Sequence, residues 1–112
     1  MARNFVQPGE TLTVTAPRAL ASGSGVLVGA LFAVALADAS TGKPVEARRI
    51  GVWDIAKAAG AAWTPGQKVY WDNTALNVTT TATNNTLIGV ATQAAASAAL
   101  IGRVLLTGQI PA

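Results

Sequence analysis

The chain contains no cysteine and no histidine. Without cysteine there is no disulfide, no thiolate nucleophile and no zinc–thiolate site. Without histidine the commonest general base near neutral pH is missing. Charge is scarce too: Asp, Glu, Lys and Arg make up 12% of the 112 residues, against about a quarter in an ordinary soluble domain. A surface so poor in charge suits a protein packed into an assembly better than a freely diffusing monomer, because charge is what keeps surfaces apart. Aromatic residues are few, with two Phe, one Tyr and three Trp. The apolar run at residues 26–37 (VLVGALFAVALA) has 12 residues, short of the ~20 needed to span a bilayer as a helix. Gly29 interrupts it, Gly25 precedes it, and no basic start leads into it, so a buried strand pair explains it better than a targeting segment.

The remaining chemistry is sparse. The five carboxylates, Glu10, Asp38, Glu46, Asp54 and Asp72, are isolated in sequence, and most sit beside turn residues or strand ends, where capping or solvated roles are the default. Ser22, Ser24, Ser40 and Ser97 lie in Gly- or Ala-rich stretches without a nucleophile elbow. Gly42-Lys43 has the ending of a phosphate loop, but Ala37 stands where its first glycine belongs and Pro44 where its Ser/Thr belongs. No catalytic residue, metal ligand or cofactor is therefore expected. Eight bases against five acids give a net charge of +3. Arg3, Arg18, Lys43, Arg48, Arg49, Lys57, Lys68 and Arg103 are scattered, which reads as ordinary solvated cations and not as a nucleic-acid interface.

What is present is a succession of short β patterns separated by turn signals. Residues 1–10 read as an extended arm ending at Pro8-Gly9, and 11–112 as one domain. Residues 11–16 (TLTVTA) alternate, with Leu12 and Val14 on one face and threonines on the other. Residues 26–28 and 31–35 form a hairpin whose Gly29-Ala30 suits a type II′ turn. Residues 45–55 (VEARRIGVWDI) alternate, with Gly51 a bulge or bend. A single helical turn is expected within 57–62, and 92–99 has helical composition. Strands follow at 68–72, 77–81 (a polar edge strand), 87–92 and 100–107. Eight or nine short strands predict an all-β antiparallel barrel or sandwich. Residues 63–91 stand out as turn, strand, threonine-rich excursion and second strand, with Asp72 the lone carboxylate. Of the adjacent Tyr70 and Trp71, one points inward and one outward. We expect Trp71 to face a turn or partner, and Trp63 to be an interface anchor of the kind aromatic residues often supply.

In order and spacing, several segments resemble the tailed-bacteriophage capsid cement, or decoration, proteins. They are Asn4-Phe5-Val6-Gln7-Pro8-Gly9, residues 12–16, 22–29 and 31–35, Lys57-Ala58-Ala59-Gly60, Gly66-Gln67-Lys68-Val69-Tyr70-Trp71-Asp72, Leu87-Ile88-Gly89-Val90-Ala91 and Gly102-Arg103-Val104. That family was long catalogued as a domain of unknown function and sometimes labelled a predicted recombinase, a label the missing phosphate loop does not support. The resemblance implies a non-enzymatic β-rich protein, made in the bacterial cytoplasm, that binds the outside of the phage head and clamps neighbouring major capsid protein subunits. It implies a homo-oligomer, with a trimer favoured, and no nucleic-acid or membrane partner. Asn4, Phe5, Val6, Gln7 and Pro8 of the arm, with Trp63 and Trp71, are the candidate contact residues. The rival reading is a small carbohydrate- or ligand-binding barrel in which exposed Trp63 and Trp71 stack on sugar rings.

Overall fold

Hydrophobic alternation broken by turns yields strands and, among the described residues, nothing helical. The structure, a computed structural model, describes residue 4 and residues 7–108. Nine strands are formed: β1 (Thr11–Thr15), β2 (Gly25–Val28), β3 (Leu31–Ala35), β4 (Pro44–Arg48), β5 (Ile50–Ala56), β6 (Lys68–Asp72), β7 (Asn77–Thr79), β8 (Thr86–Ala91) and β9 (Ile101–Thr107). They build two antiparallel sheets, a four-stranded one ordered β1-β4-β3-β2 and a five-stranded one ordered β5-β9-β8-β6-β7. The apolar run at 26–37 is accounted for by the β2–β3 hairpin, turned at Gly29 with φ +61°.

The stretch 45–55 departs from the single bent strand that its alternation suggests. It is cut at Arg49, so β4 completes one sheet and β5 begins the other. Arg49 is held at this crossover from both sides. Its Nε donates to the carbonyl of Gly9 at 2.6 Å and its Nη1 to that of Gly108 at 2.9 Å. Its backbone N–H donates to Glu10 O. Arginine suits this junction because its rigid fork serves two carbonyls at once. It ties Gly9 and Glu10, just ahead of β1, to Gly108, just past β9.

No helical turn forms at 57–62, because tertiary partners take its N–H groups first. Lys57 N donates to Leu100 O, Ala58 N to Val78 O and Gly60 N to Ser97 O. The Ala-rich segment 92–99 is likewise not a helix. Ala95 and Trp63 exchange backbone hydrogen bonds across a short antiparallel bridge. Helix propensity is a weak prior that such pairing overrides. β7 lies at the end of its sheet as expected but is shorter, stopping at Thr79. A parallel bridge between Lys57 and Val78 brings β7 against the end of β5, so the five-stranded sheet curls into a half-barrel.

Two apolar cores result. The larger lies between the sheets and joins Phe32 and Val34 of β3 to Ile55, Trp63, Val69, Trp71, Val78, Ile88, Val104 and Leu106. The smaller lies on the other face of the four-stranded sheet, where Ala16 and Leu20 cover Val26, Ala35 and Val45. β3 serves both, because its successive side chains point to opposite faces.

Candidate functional site

Trp63 and Trp71 are 2% and 1% exposed. This corrects the expectation that Trp71 faces a turn or partner: of the Tyr70–Trp71 pair, Trp71 is the inward member and Tyr70 the half-buried one. The reason is steric fit. A Cβ on Gly25 would lie 2.7 Å from the Trp71 ring, and one on Gly102 only 2.2 Å from the Trp63 ring. Both glycines leave a slot that an indole fills. Trp71 also meets Phe32 at 5.1 Å between ring centroids, and its Nε1 donates to Asn73 Oδ1 at 3.0 Å. Every polar and apolar need of this side chain is met inside the molecule. The rings offer no face to a sugar or a partner, which removes the footing of the carbohydrate-binding reading.

Lys57 is the residue that the sequence least reveals. Far from being a solvated cation, it is 2% exposed. Its Nζ donates to the carbonyls of Ala58 (2.9 Å), Ala99 (3.3 Å) and Ser97 (3.4 Å) and stands 5.7 Å from the centroid of the Trp63 ring. An ammonium has three donors, and here each has a carbonyl. The π-face of the indole adds an electrostatic attraction for the cation. Lys57 thereby pins the loop before β9 to the rim of the half-barrel. The group is a structural knot.

Four of the five carboxylates are spent on local structure. Asp72 Oδ1 accepts from the backbone N–H groups of Thr74 and Ala75 at 2.9 and 3.0 Å, the capping role expected beside a turn. Asp38 Oδ1 accepts from Ser22 N at 2.8 Å, and Glu46 accepts from the Thr13 hydroxyl. Asp54 and Arg103, directly opposite on β5 and β9, form a bidentate pair at 2.9 and 3.0 Å. The hydrogen bond from Arg103 holds the Asp54 carboxyl below the usual carboxylate range, and the same bond raises the Arg103 guanidinium. No cluster of three potential metal-ligating side chains occurs among the described residues.

What the geometry offers instead is a surface. Around the Asp54–Arg103 pair the outer face of β5 and β9 carries exposed apolar side chains: Val52 at 55%, Ile101 at 63% and, just before β9, Leu100 at 68%. Leu105 sits between Val52 and Val90 in register, extending the apolar row onto β8. Val52, Ile101 and the half-buried Leu105 beside one ion pair form a patch with the composition of a contact surface. A signal for it exists in the sequence. Ile101–Thr107 (IGRVLLT) is apolar in both parities, as expected of a strand with something on each face. Of the arm residues expected to make contact, Phe5 and Val6 lie outside the described residues. Asn4, Gln7 and Pro8 are exposed, and Gln7 Nε2 reaches Thr11 O at 3.4 Å.

A scan against protein-family models matches residues 6–106 to a family described as phage cement protein. No curated protein and no solved structure matches the chain.

Proposed function

The chain belongs to the phage cement protein family, and from that premise we propose that it binds the outer surface of the assembled head and stabilises contacts between major capsid protein subunits. The family match over residues 6–106 is the observation that carries this reading. The role is one of contact and shape, without catalysis or a cofactor. The protein is made in the host cytoplasm and ends on the virion exterior.

The surface chemistry supports it. A chain with 12% charged residues presents Val52 and Ile101 on one sheet face, with exposed Leu100 just before β9. Such a patch is suited to packing on a large flat partner, with modest contacts per copy adding up over a lattice through avidity. The arm at residues 1–10 is a second contact element, rooted by Arg49 at Gly9 and Glu10. With Trp63 and Trp71 occupied in the core, the contact falls to the arm and the outer face of β5 and β9.

The test is to mix the protein with heads that lack it and image them. Saturable added density that follows the shell's symmetry, together with heads that withstand higher temperature, is the expected result. Heads that bind none of it, or bind it without saturation, would overturn the reading.

A further inference from the structure

Each edge strand other than β1 carries at least one firm contact on its free side. β7 is three residues long and is met by Lys57 and Ala58. β5 is interrupted at one end by that bridge and at the other by the Trp53 indole, whose Nε1 donates to Ile50 O at 3.0 Å. On the four-stranded sheet, β2 is guarded by Arg18, whose Nη2 donates to Gly25 O at 2.6 Å. Among the described residues, β1 has only a long contact, from Gln7 Nε2 to Thr11 O at 3.4 Å. Its sequence, Thr11-Leu12-Thr13-Val14-Thr15, contains no proline, lysine or bulge, the usual means of blunting an edge.

The free groups on that edge can be assigned. Glu10 pairs with Arg49 and Ala16 with Lys43 through backbone hydrogen bonds, in the same register as the rest of the β1–β4 ladder. Antiparallel strands direct alternate residues' N–H and C=O groups to alternate sides. Leu12 and Val14 therefore bond to β4, while the N–H and C=O groups of Thr11, Thr13 and Thr15 point away from the sheet. Among the described residues no strand receives them. Their one partner among the described residues is the Gln7 side chain on Thr11 O, long at 3.4 Å.

We propose that the occupant of this edge is a second copy of the chain, joined β1 to β1 about a two-fold axis at Thr13. The strand is close to a palindrome of residue types. In antiparallel pairing centred on Thr13, Thr11 opposes the partner's Thr15, Leu12 opposes the partner's Val14, and Thr13 opposes the partner's Thr13. Every outward group then finds a partner, in about six main-chain hydrogen bonds. Threonine pairs line one face, a favourable cross-strand combination. On the other face the half-buried Leu12 and Val14 meet their counterparts and complete their burial. β1 itself has no charged residue; Glu46 and Arg48 of the neighbouring strand reach the Thr13 and Thr11 hydroxyls from the side away from the seam. The two four-stranded sheets become one continuous sheet of eight. The symmetry is two-fold, in place of the three-fold association implied by resemblance to decoration proteins.

This goes beyond the capsid reading and is tested without any capsid. Light scattering on the purified full chain is expected to give twice the chain mass. Thr13→Lys, which sets two ammonium groups against each other at the axis, is expected to weaken the dimer at least tenfold while circular dichroism stays unchanged. Because the chain lacks cysteine, Thr13→Cys with a short bis-maleimide should give a covalent dimer, and Thr107→Cys on the other sheet should not. A monomer at all concentrations, a trimer, or a dimer indifferent to Thr13→Lys would overturn the proposal. So would a monomer whose capsid binding is lost with Thr13→Lys, which would give the edge to a capsid subunit instead.

Discussion

The Trp63 ring lies in a slot left by Gly102, so close that a methyl group there would stand 2.2 Å from a ring carbon. The two residues belong to different elements, and Trp63 also carries the Lys57 ammonium on its other contacts. Gly102→Ala is accordingly expected to destabilise the fold by about 1–3 kcal/mol, the usual cost of overpacking a core. Urea denaturation followed by tryptophan fluorescence measures it. Wild-type stability in the alanine variant would show that the indole moves aside at little cost.

Lys57→Met keeps the volume but removes three hydrogen bonds to carbonyls. Leaving buried acceptors unpaired costs about 1–3 kcal/mol. Hydrogen exchange should rise first at the N–H groups of Lys57 and Gly60, which bond to Leu100 and Ser97 of the loop that the ammonium holds. Faster exchange spread evenly over all strands would instead indicate global destabilisation without a local latch.

Asp54 titrates below an ordinary carboxylate because Arg103 donates to its charged form. Its contribution to stability is therefore complete above the ordinary carboxylate range and lost as pH falls through the depressed folded value. Asp54→Asn should flatten that acid limb and alter stability little at neutral pH, since the pair is about half exposed and such pairs are screened by solvent. Thermal melts between neutral and strongly acid pH, compared with wild type, check both parts.

Ile101 is 63% exposed beside the ion pair. Ile101→Asp should leave the melting temperature nearly unchanged and reduce affinity for heads about tenfold, as loss of one apolar interface contact does. Binding isotherms on purified heads decide this. Undiminished affinity would remove the β5–β9 face from the contact.

Removal of residues 1–8 leaves the Arg49 bond to Gly9 in place. The truncated protein should fold as before and lose head occupancy. Full occupancy at wild-type protein concentration would exclude the arm as a contact element.

Strand positions were legible from sequence because they rest on local rules. TLTVT alternates, Gly29 permits a two-residue turn, and Pro65-Gly66 marks the entry to β6. The two segments read as helical, 57–62 and 92–99, are Ala-rich stretches whose N–H groups are claimed by distant carbonyls, a competition no local pattern records. The same holds for the site. Aromatic residues next to polar turns have an interface's composition, yet Trp63 and Trp71 are buried because Gly102 and Gly25, remote in sequence, leave room for them.

Read alone, the order of residues marks an all-β chain of short strands, poor in reactive groups and charge, with enough ordered motif for a cement protein. These properties depend on residue type and on spacing within about ten positions. It takes the packed fold to show that the chain changes sheets at Arg49, that Lys57 is buried under three carbonyls, and that β5, β9 and the edge of β1 face outward. Each of those depends on which strands become neighbours. That choice is made by packing across the whole molecule, where an exposed threonine edge and a buried lysine look alike until their partners are in place.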